Sequence, residues 1–174
     1  RPGQPGMADL LGLRASTGYI FFMHHPFDHK AQPAEVEDRK PGSAPGLLVA
    51  PEGSPIPRVD VLVSGNGTWR LIREMLIPDL RTLREKQGPD EWIWVDVNGL
   101  GDANLIAEVG EMFELHRLSL EDAMNLHQRP KTETYDSVQF TVMQVPLLAD
   151  DDLAFEQVSL FMGTDFLISL QANP

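Results

Sequence analysis

The sequence predicts an α/β domain built in layers around a mixed β-sheet. Short β-branched and aromatic runs interleave with segments of helical periodicity in the order ββαα-β-αα-βββ, which calls for helices packed on a sheet. The chain has 174 residues, 42% of them hydrophobic, and a domain of that size buries roughly 70% of its unfolded surface. Turn chemistry stands at the junctions, as in Asn98-Gly99-Leu100-Gly101 and Gly163-Thr164-Asp165.

Residues 1–57 hold 9 of the 14 prolines. The run Lys40-Pro41-Gly42-Ser43-Ala44-Pro45-Gly46 favours an extended tether, because Pro restricts φ and Gly loses most entropy on ordering. Residues 1–45 therefore read as a flexible Pro/Gly-rich extension and 46–174 as the folded domain. Within the extension, Leu10–Leu13 and Tyr19–Met23 are short apolar segments able to dock on that domain.

Leu47–Ala50 and Val59–Val63 are β-rich, the second alternating with period two around Asp60. From Thr68 the spacing predicts a helix, with Leu71, Ile72, Met75 and Leu76 on one face. Pro78 then breaks it ahead of a second short helix carrying Leu80 and Leu83. Trp92–Val97 is aromatic, β-branched and short, as a central strand requires. Asp102 is placed to cap a helix whose Leu105, Ile106, Val109, Met112 and Phe113 recur with helical period. A short helix over Leu118–Met124 follows, with Ser119 and Asp122 spaced as a capping box. Three strands close the pattern: Val138–Val145, Glu156–Met162 and Phe166–Leu170, the last two joined by a hairpin turn at Gly163-Thr164-Asp165.

Composition excludes several functions. The chain has 14 Lys+Arg against 26 Asp+Glu, a formal charge of -12. That sign disfavours nucleic acid and anionic lipid, whose phosphates need cationic partners, and favours cations. Residues 58–174 carry 9 Lys/Arg against 20 Asp/Glu, so the acidity belongs to the folded part. With no Cys, disulfides, thiolate zinc sites and Cys nucleophiles are excluded, and any metal must take oxygen or imidazole. No apolar run approaches the roughly 18 residues a membrane helix needs, so the chain reads as soluble. It starts at Arg1, without initiator Met or signal-peptide pattern, and reads as a piece of a longer protein.

Few motifs carry chemistry. Gly65-Asn66-Gly67 and Gly99-Leu100-Gly101 are neither a dinucleotide fingerprint nor a P-loop, so both read as turns. In His24-His25-Pro26-Phe27-Asp28-His29, His25 and His29 are four apart, but Pro26 opposes the helix a metal pair needs, and the cluster reads as adventitious. No nucleophile elbow is present, and His116 and His127 flank a helix rather than a recognisable base position, so no enzyme activity is expected. The carboxylate groups Glu121-Asp122 and Asp150-Asp151-Asp152 read, by composition alone, as solvated charge.

The stretch Leu120-Glu121-Asp122-Ala123-Met124-Asn125-Leu126-His127-Gln128-Arg129-Pro130-Lys131 resembles the signature of the CorA family of magnesium transporters, in the cytoplasmic amino-terminal domain. The flanks agree: Trp92–Val97 with Gly99 and Leu100, Val109–His116, Tyr135-Asp136 before Val138–Val145, and Glu156–Phe161 leading to Phe166–Ile168. Order and spacing agree from about Gly46 to Gln171.

The resemblance implies a layered α/β/α sandwich with a mixed sheet, like the CorA soluble domain. It implies a homopentameric channel in the inner membrane, with this domain cytoplasmic. A stalk helix, two transmembrane helices and a Gly-Met-Asn pore motif would lie outside residues 1–174. The implied ion is Mg2+, as regulatory ligand and as cargo, with cobalt or nickel as alternatives. In the family an aspartate of the Leu-Glu-Asp motif faces a carboxylate on the neighbouring subunit's stalk, with magnesium between them. That aspartate corresponds to Asp122, and Glu121 corresponds to a residue near a second regulatory ion. The resemblance gives His127–Lys131 no chemistry beyond the exit from a helix, where Pro130 biases Arg129 out of the helical region. Two alternatives stay open: a zinc-transporting relative, for which the His24/His25/His29 cluster speaks, and a freestanding metal-dependent enzyme.

Overall fold

The computed structural model describes residues 47–149 and 152–172. Among these, seven strands form one sheet: β1 (Arg58–Gly65), β2 (Thr68–Ile72), β3 (Glu91–Asn98), β4 (Lys131–Tyr135), β5 (Val138–Ala149), β6 (Asp152–Met162) and β7 (Phe166–Gln171). Their order is β2-β1-β3-β7-β6-β5-β4. All neighbours are antiparallel except β3 and β7, which pair in parallel with Ile93 beside Phe166 and Val97 beside Leu170. The helices are α1 (Ile77–Glu85), α2 (Ala103–Met112) and α3 (Arg117–Ala123). The mixed sheet with packed helices is the α/β class expected.

The registers place Val59, Val61 and Val63, then Ile93, Val95 and Val97, then Phe166, Ile168 and Leu170 on one face of the sheet. Phe161, Phe140 and Val142 continue that face, and all these residues are buried in one core cluster with Leu80, Ile106, Val109, Phe113 and Leu120. The three helices therefore share this face. The Phe113 ring of α2 lies 4.9 Å from that of Phe166, and the Arg84 guanidinium of α1 sits 4.9 Å over the same Phe113 ring. The opposite face carries no helix among the described residues. Its centre is polar: Trp94 Nε1 donates to Ser169 Oγ at 2.9 Å, Ser169 donates to Asp96, and Asn98 donates to Asp96 at 2.9 Å.

Several local expectations are corrected. Thr68–Ile72 is not helical but the edge strand β2, paired from Val61↔Ile72 to Gly65↔Thr68. The two-residue turn between the strands is Asn66-Gly67, with φ of 52° and 71°. An Asn-Gly pair of that handedness matches the twist of a β-hairpin, and strand pairing outweighs a helical spacing carried by only four apolar residues. One helix, α1, follows rather than two. Pro78 opens it instead of breaking it, since a first-turn residue needs no amide hydrogen bond. Leu47–Ala50 forms no strand. Strand β4 was not anticipated: Lys131–Tyr135 alternates polar residues and forms because it pairs with β5. Of the triplet Asp150-Asp151-Asp152, Asp152 opens β6, and Asp150 and Asp151 lie outside the described residues. Residues 1–45, including His24, His25 and His29, also lie outside them.

Asp102 caps α2 as predicted, accepting from Asn104 N at 2.9 Å and Leu105 N at 3.1 Å. The turn before it is held by residues 54–56, with Gly101 N donating to Pro55 O at 2.8 Å.

Candidate functional site

Helix α3 is set in place by the end of α2. Leu115 N donates to Gly110 O at 2.8 Å, and the buried Leu120 packs where a Gly110 side chain would stand. The N-cap is His116, whose Nδ1 accepts from Leu118 N at 3.3 Å. Ser119 is not a cap: it lies inside the helix, and its hydroxyl donates to His116 O at 2.7 Å. The capping box fails because the helix begins one turn earlier, which leaves Asp122 to face elsewhere. Burial of Ser119, Leu120 and Ala123 turns Glu121 and Asp122 to half-buried positions at the helix end.

The segment after α3 is held from β5 and β6. Gln157, buried on β6, accepts from Gln128 N at 3.1 Å and donates to Asn125 O at 3.0 Å. Gln144 of β5 donates to Gln128 O at 3.3 Å. These bonds turn the chain back toward α3, so that the Gln128 and Lys131 side chains reach Asp122.

Asp122 is thereby engaged at both oxygens. Gln128 Nε2 donates to Oδ1 at 3.1 Å, and Lys131 Nζ lies 2.6 Å from Oδ2. The same ammonium lies 2.9 Å from Glu133 Oε2 and 5.7 Å from the centre of the Phe140 ring. Tyr135 Oη donates to Glu133 at 2.9 Å, and the Tyr135 ring stacks on His116 with centroids 4.6 Å apart. A continuous chain of contacts thus joins both ends of α3 to β4.

The charges respond to this arrangement. Desolvation disfavours the Lys131 ammonium, but its hydrogen bonds and charge contacts with Asp122 and Glu133 prevail and hold its pKa above 10.5. Hydrogen bonds from Lys131 and Tyr135 hold the Glu133 carboxyl below 4.5. The bond to Glu133 raises the Tyr135 hydroxyl above 10.0.

As metal ligands, the residues at this point are hard oxygens, suited to magnesium rather than to soft metals. Among the described residues no three His, Cys, Asp or Glu are grouped to hold a metal ion. Magnesium keeps several of its waters and binds through one or two carboxylates, so Asp122 and Glu121 are chemically able to supply part of such a site, and water or other segments would have to supply the rest. The two histidines do not join it: His116 is a helix cap and His127 is exposed. Lys131, Gln128 and Glu133 were missed as site residues. The only signal for Gln128 and Lys131 was their place inside the motif, and Glu133, two residues beyond it, had none.

The family pattern described as CorA-like Mg2+ transporter protein spans residues 89–174. Over these residues the chain matches the CorA-like family. The CorA pattern takes in β3 to β7 and the whole Asp122 network, and starts after β1, β2 and α1. The chain is similar to the cobalt/magnesium transport protein CorA of Thermotoga maritima, with 30% identity over 57% of this chain and 29% of that protein. It is similar also to the putative metal ion transporter YfjQ of Bacillus subtilis, with 32% identity over 56% of this chain and 30% of that protein. The chain thus spans less than a third of the length of these curated relatives. Its fold is shared with the full-length CmaX protein, at a TM-score of 0.53 and 17% identity over 71% of this chain and 37% of that one. Among the described residues, no helix of this CorA-like chain is long and apolar enough to cross a membrane.

Proposed function

We propose that residues 46–174 are the cytoplasmic, divalent-cation-sensing domain of a CorA-type transporter that carries magnesium, with cobalt or nickel as further cargo, across the inner membrane. Asp122 and Glu121 provide the chain's share of a regulatory magnesium site at an interface between subunits of a homopentamer. The observation that carries this reading is the placement of Asp122: a half-buried carboxylate at the end of α3, held by its own chain's Lys131 and Gln128, inside the family's pattern. No catalytic role is assigned to any residue.

A few carboxylates partly open to solvent hold magnesium weakly, in a range suited to sensing rather than storage. A ring sums weak sites: at ten times Kd one site contributes about 1.4 kcal/mol and five contribute about 7 kcal/mol to the closed arrangement. When the ion leaves, carboxylates facing each other across the interface repel and loosen the ring, and the chain's formal charge of -12 works in the same direction. The zinc-transporting alternative rests on His24, His25 and His29, which lie outside the described residues, and no observation among those residues favours it.

The test uses the full-length protein. Magnesium is titrated against limited proteolysis, comparing the wild type with Asp122→Asn and Glu121→Gln. The expected result is half-maximal protection at higher magnesium in Asp122→Asn. An unchanged midpoint in both variants overturns the sensing role.

A further inference from the structure

The Asp122 carboxylate is already paired with a cation of its own chain. Lys131 Nζ bridges two carboxylates, at 2.6 Å from Asp122 and 2.9 Å from Glu133, and it sits over the Phe140 ring. It is therefore held at two anionic seats. Losing the first leaves the second in place, with the contact to the aromatic face. A divalent cation arriving at Asp122 meets this ammonium at Oδ2 and the Gln128 amide at Oδ1. Two cations cannot share one carboxylate oxygen at contact distance without strong repulsion.

We propose that Lys131 is a tethered counter-ion that occupies Asp122 when magnesium is absent and yields it by shifting to Glu133 when magnesium binds. The inference rests on the reading of Asp122 as an ion ligand and adds the residue that sets how much magnesium is needed. Displacing an internal cation lowers the apparent affinity of the site. It also keeps Asp122 compensated in the ion-free state, so that the end of α3 stays attached to β4. A lysine suits the task because its ammonium is a point charge on a flexible stem and can change partner with little backbone motion. The bridge is partly open to solvent, with side-chain exposures of 26% for Lys131 and 27% for Asp122, so its loss should change the magnesium requirement modestly.

The test is the same magnesium titration on the full-length protein, read as the midpoint of protection against proteolysis. Lys131→Met removes the charge and keeps the apolar stem, and should lower the midpoint about two- to fivefold. Lys86→Met removes a charge at the end of α1, away from this network, and should leave the midpoint where it is. Glu133→Gln removes the second seat, holds Lys131 more firmly on Asp122, and should raise the midpoint. It also serves as an independent arm if Lys131→Met does not fold. A Lys131→Met midpoint equal to that of the wild type overturns the proposal. So does an equal shift in Lys86→Met, which would mark an effect of net charge, or an unchanged midpoint in Glu133→Gln. Asp122→Asn separates the two levels: if it shifts the midpoint while Lys131→Met does not, the ion site stands and the counter-ion role fails. If Asp122→Asn and Glu121→Gln both shift nothing, the ion site itself fails.

Discussion

Gly101 lies against the backbone of Pro55: its amide donates to Pro55 O at 2.8 Å, and a Cβ at this position would stand 2.7 Å from the same oxygen. The strap before β1 and the turn that launches α2 are thus in backbone contact, and α2 in turn positions α3 and Asp122.

Gly101→Ala should therefore be costly although the position is on a turn. The atoms in the way are main-chain atoms of Ser54 and Pro55, which cannot rotate aside as a side-chain end can. Overpacking of this kind typically destabilises by about 1–3 kcal/mol. Urea unfolding monitored by circular dichroism checks this, and a midpoint equal to that of the wild type contradicts it.

On the helix-free face, Asp60 is 1% exposed. Its Oδ1 accepts from Glu74 N at 2.7 Å, while its Oδ2 is 3.4 Å from Arg58 Nη2. Arg58→Met should leave a buried charge without compensation, a change that costs about 3–5 kcal/mol. The double variant with Asp60→Asn should recover part of that loss, because the uncompensated charge is then gone. Chemical denaturation of the two variants is the measurement, and no recovery in the double variant counts against a charge effect.

The Lys131 bridge predicts a signed pH dependence. Glu133 titrates below 4.5 in the folded chain, so its contribution to stability is complete above 4.5 and is lost as pH falls through the lowered value. Lys131 and Tyr135 are raised above 10.5 and 10.0. Their contributions are complete below those values and are lost as pH rises through the raised ones. The stability difference between wild type and Glu133→Gln should thus be constant from pH 4.5 to pH 10.0 and shrink on the acid side. It should be small throughout, because the Glu133 side chain is 42% exposed and solvent screens the pair. Thermal melts over that range check it, and a difference that grows on acidification contradicts the sign.

Removal of residues 1–45 should leave thermal stability unchanged. The Pro/Gly-rich composition of the removed segment disfavours ordered packing. Mild proteolysis should yield a stable product beginning near Gly46. A large fall in melting temperature after trimming would mean that Tyr19–Met23 packs on the sheet.

The sequence by itself determined the α/β class, the central strand Trp92–Val97, the Asp102 cap and the amphipathic α2, because each is encoded locally by side-chain period or by a cap beside the residues it serves. The likeness to the CorA-like family over residues 89–174 is legible there too, because the motif around Glu121 and Asp122 is contiguous in the chain. Tertiary structure alone decided the rest. Thr68–Ile72 became a strand because β1 was available to pair with it, and Lys131–Tyr135 because β5 was, although neither run declares itself by composition. Asp122 meets Lys131 nine residues on only because Gln157 and Gln144, from strands later in the chain, fold the intervening segment back. No local pattern can encode that meeting, since the hydrogen bonds that enforce it come from residues roughly 16 to 32 positions away in sequence.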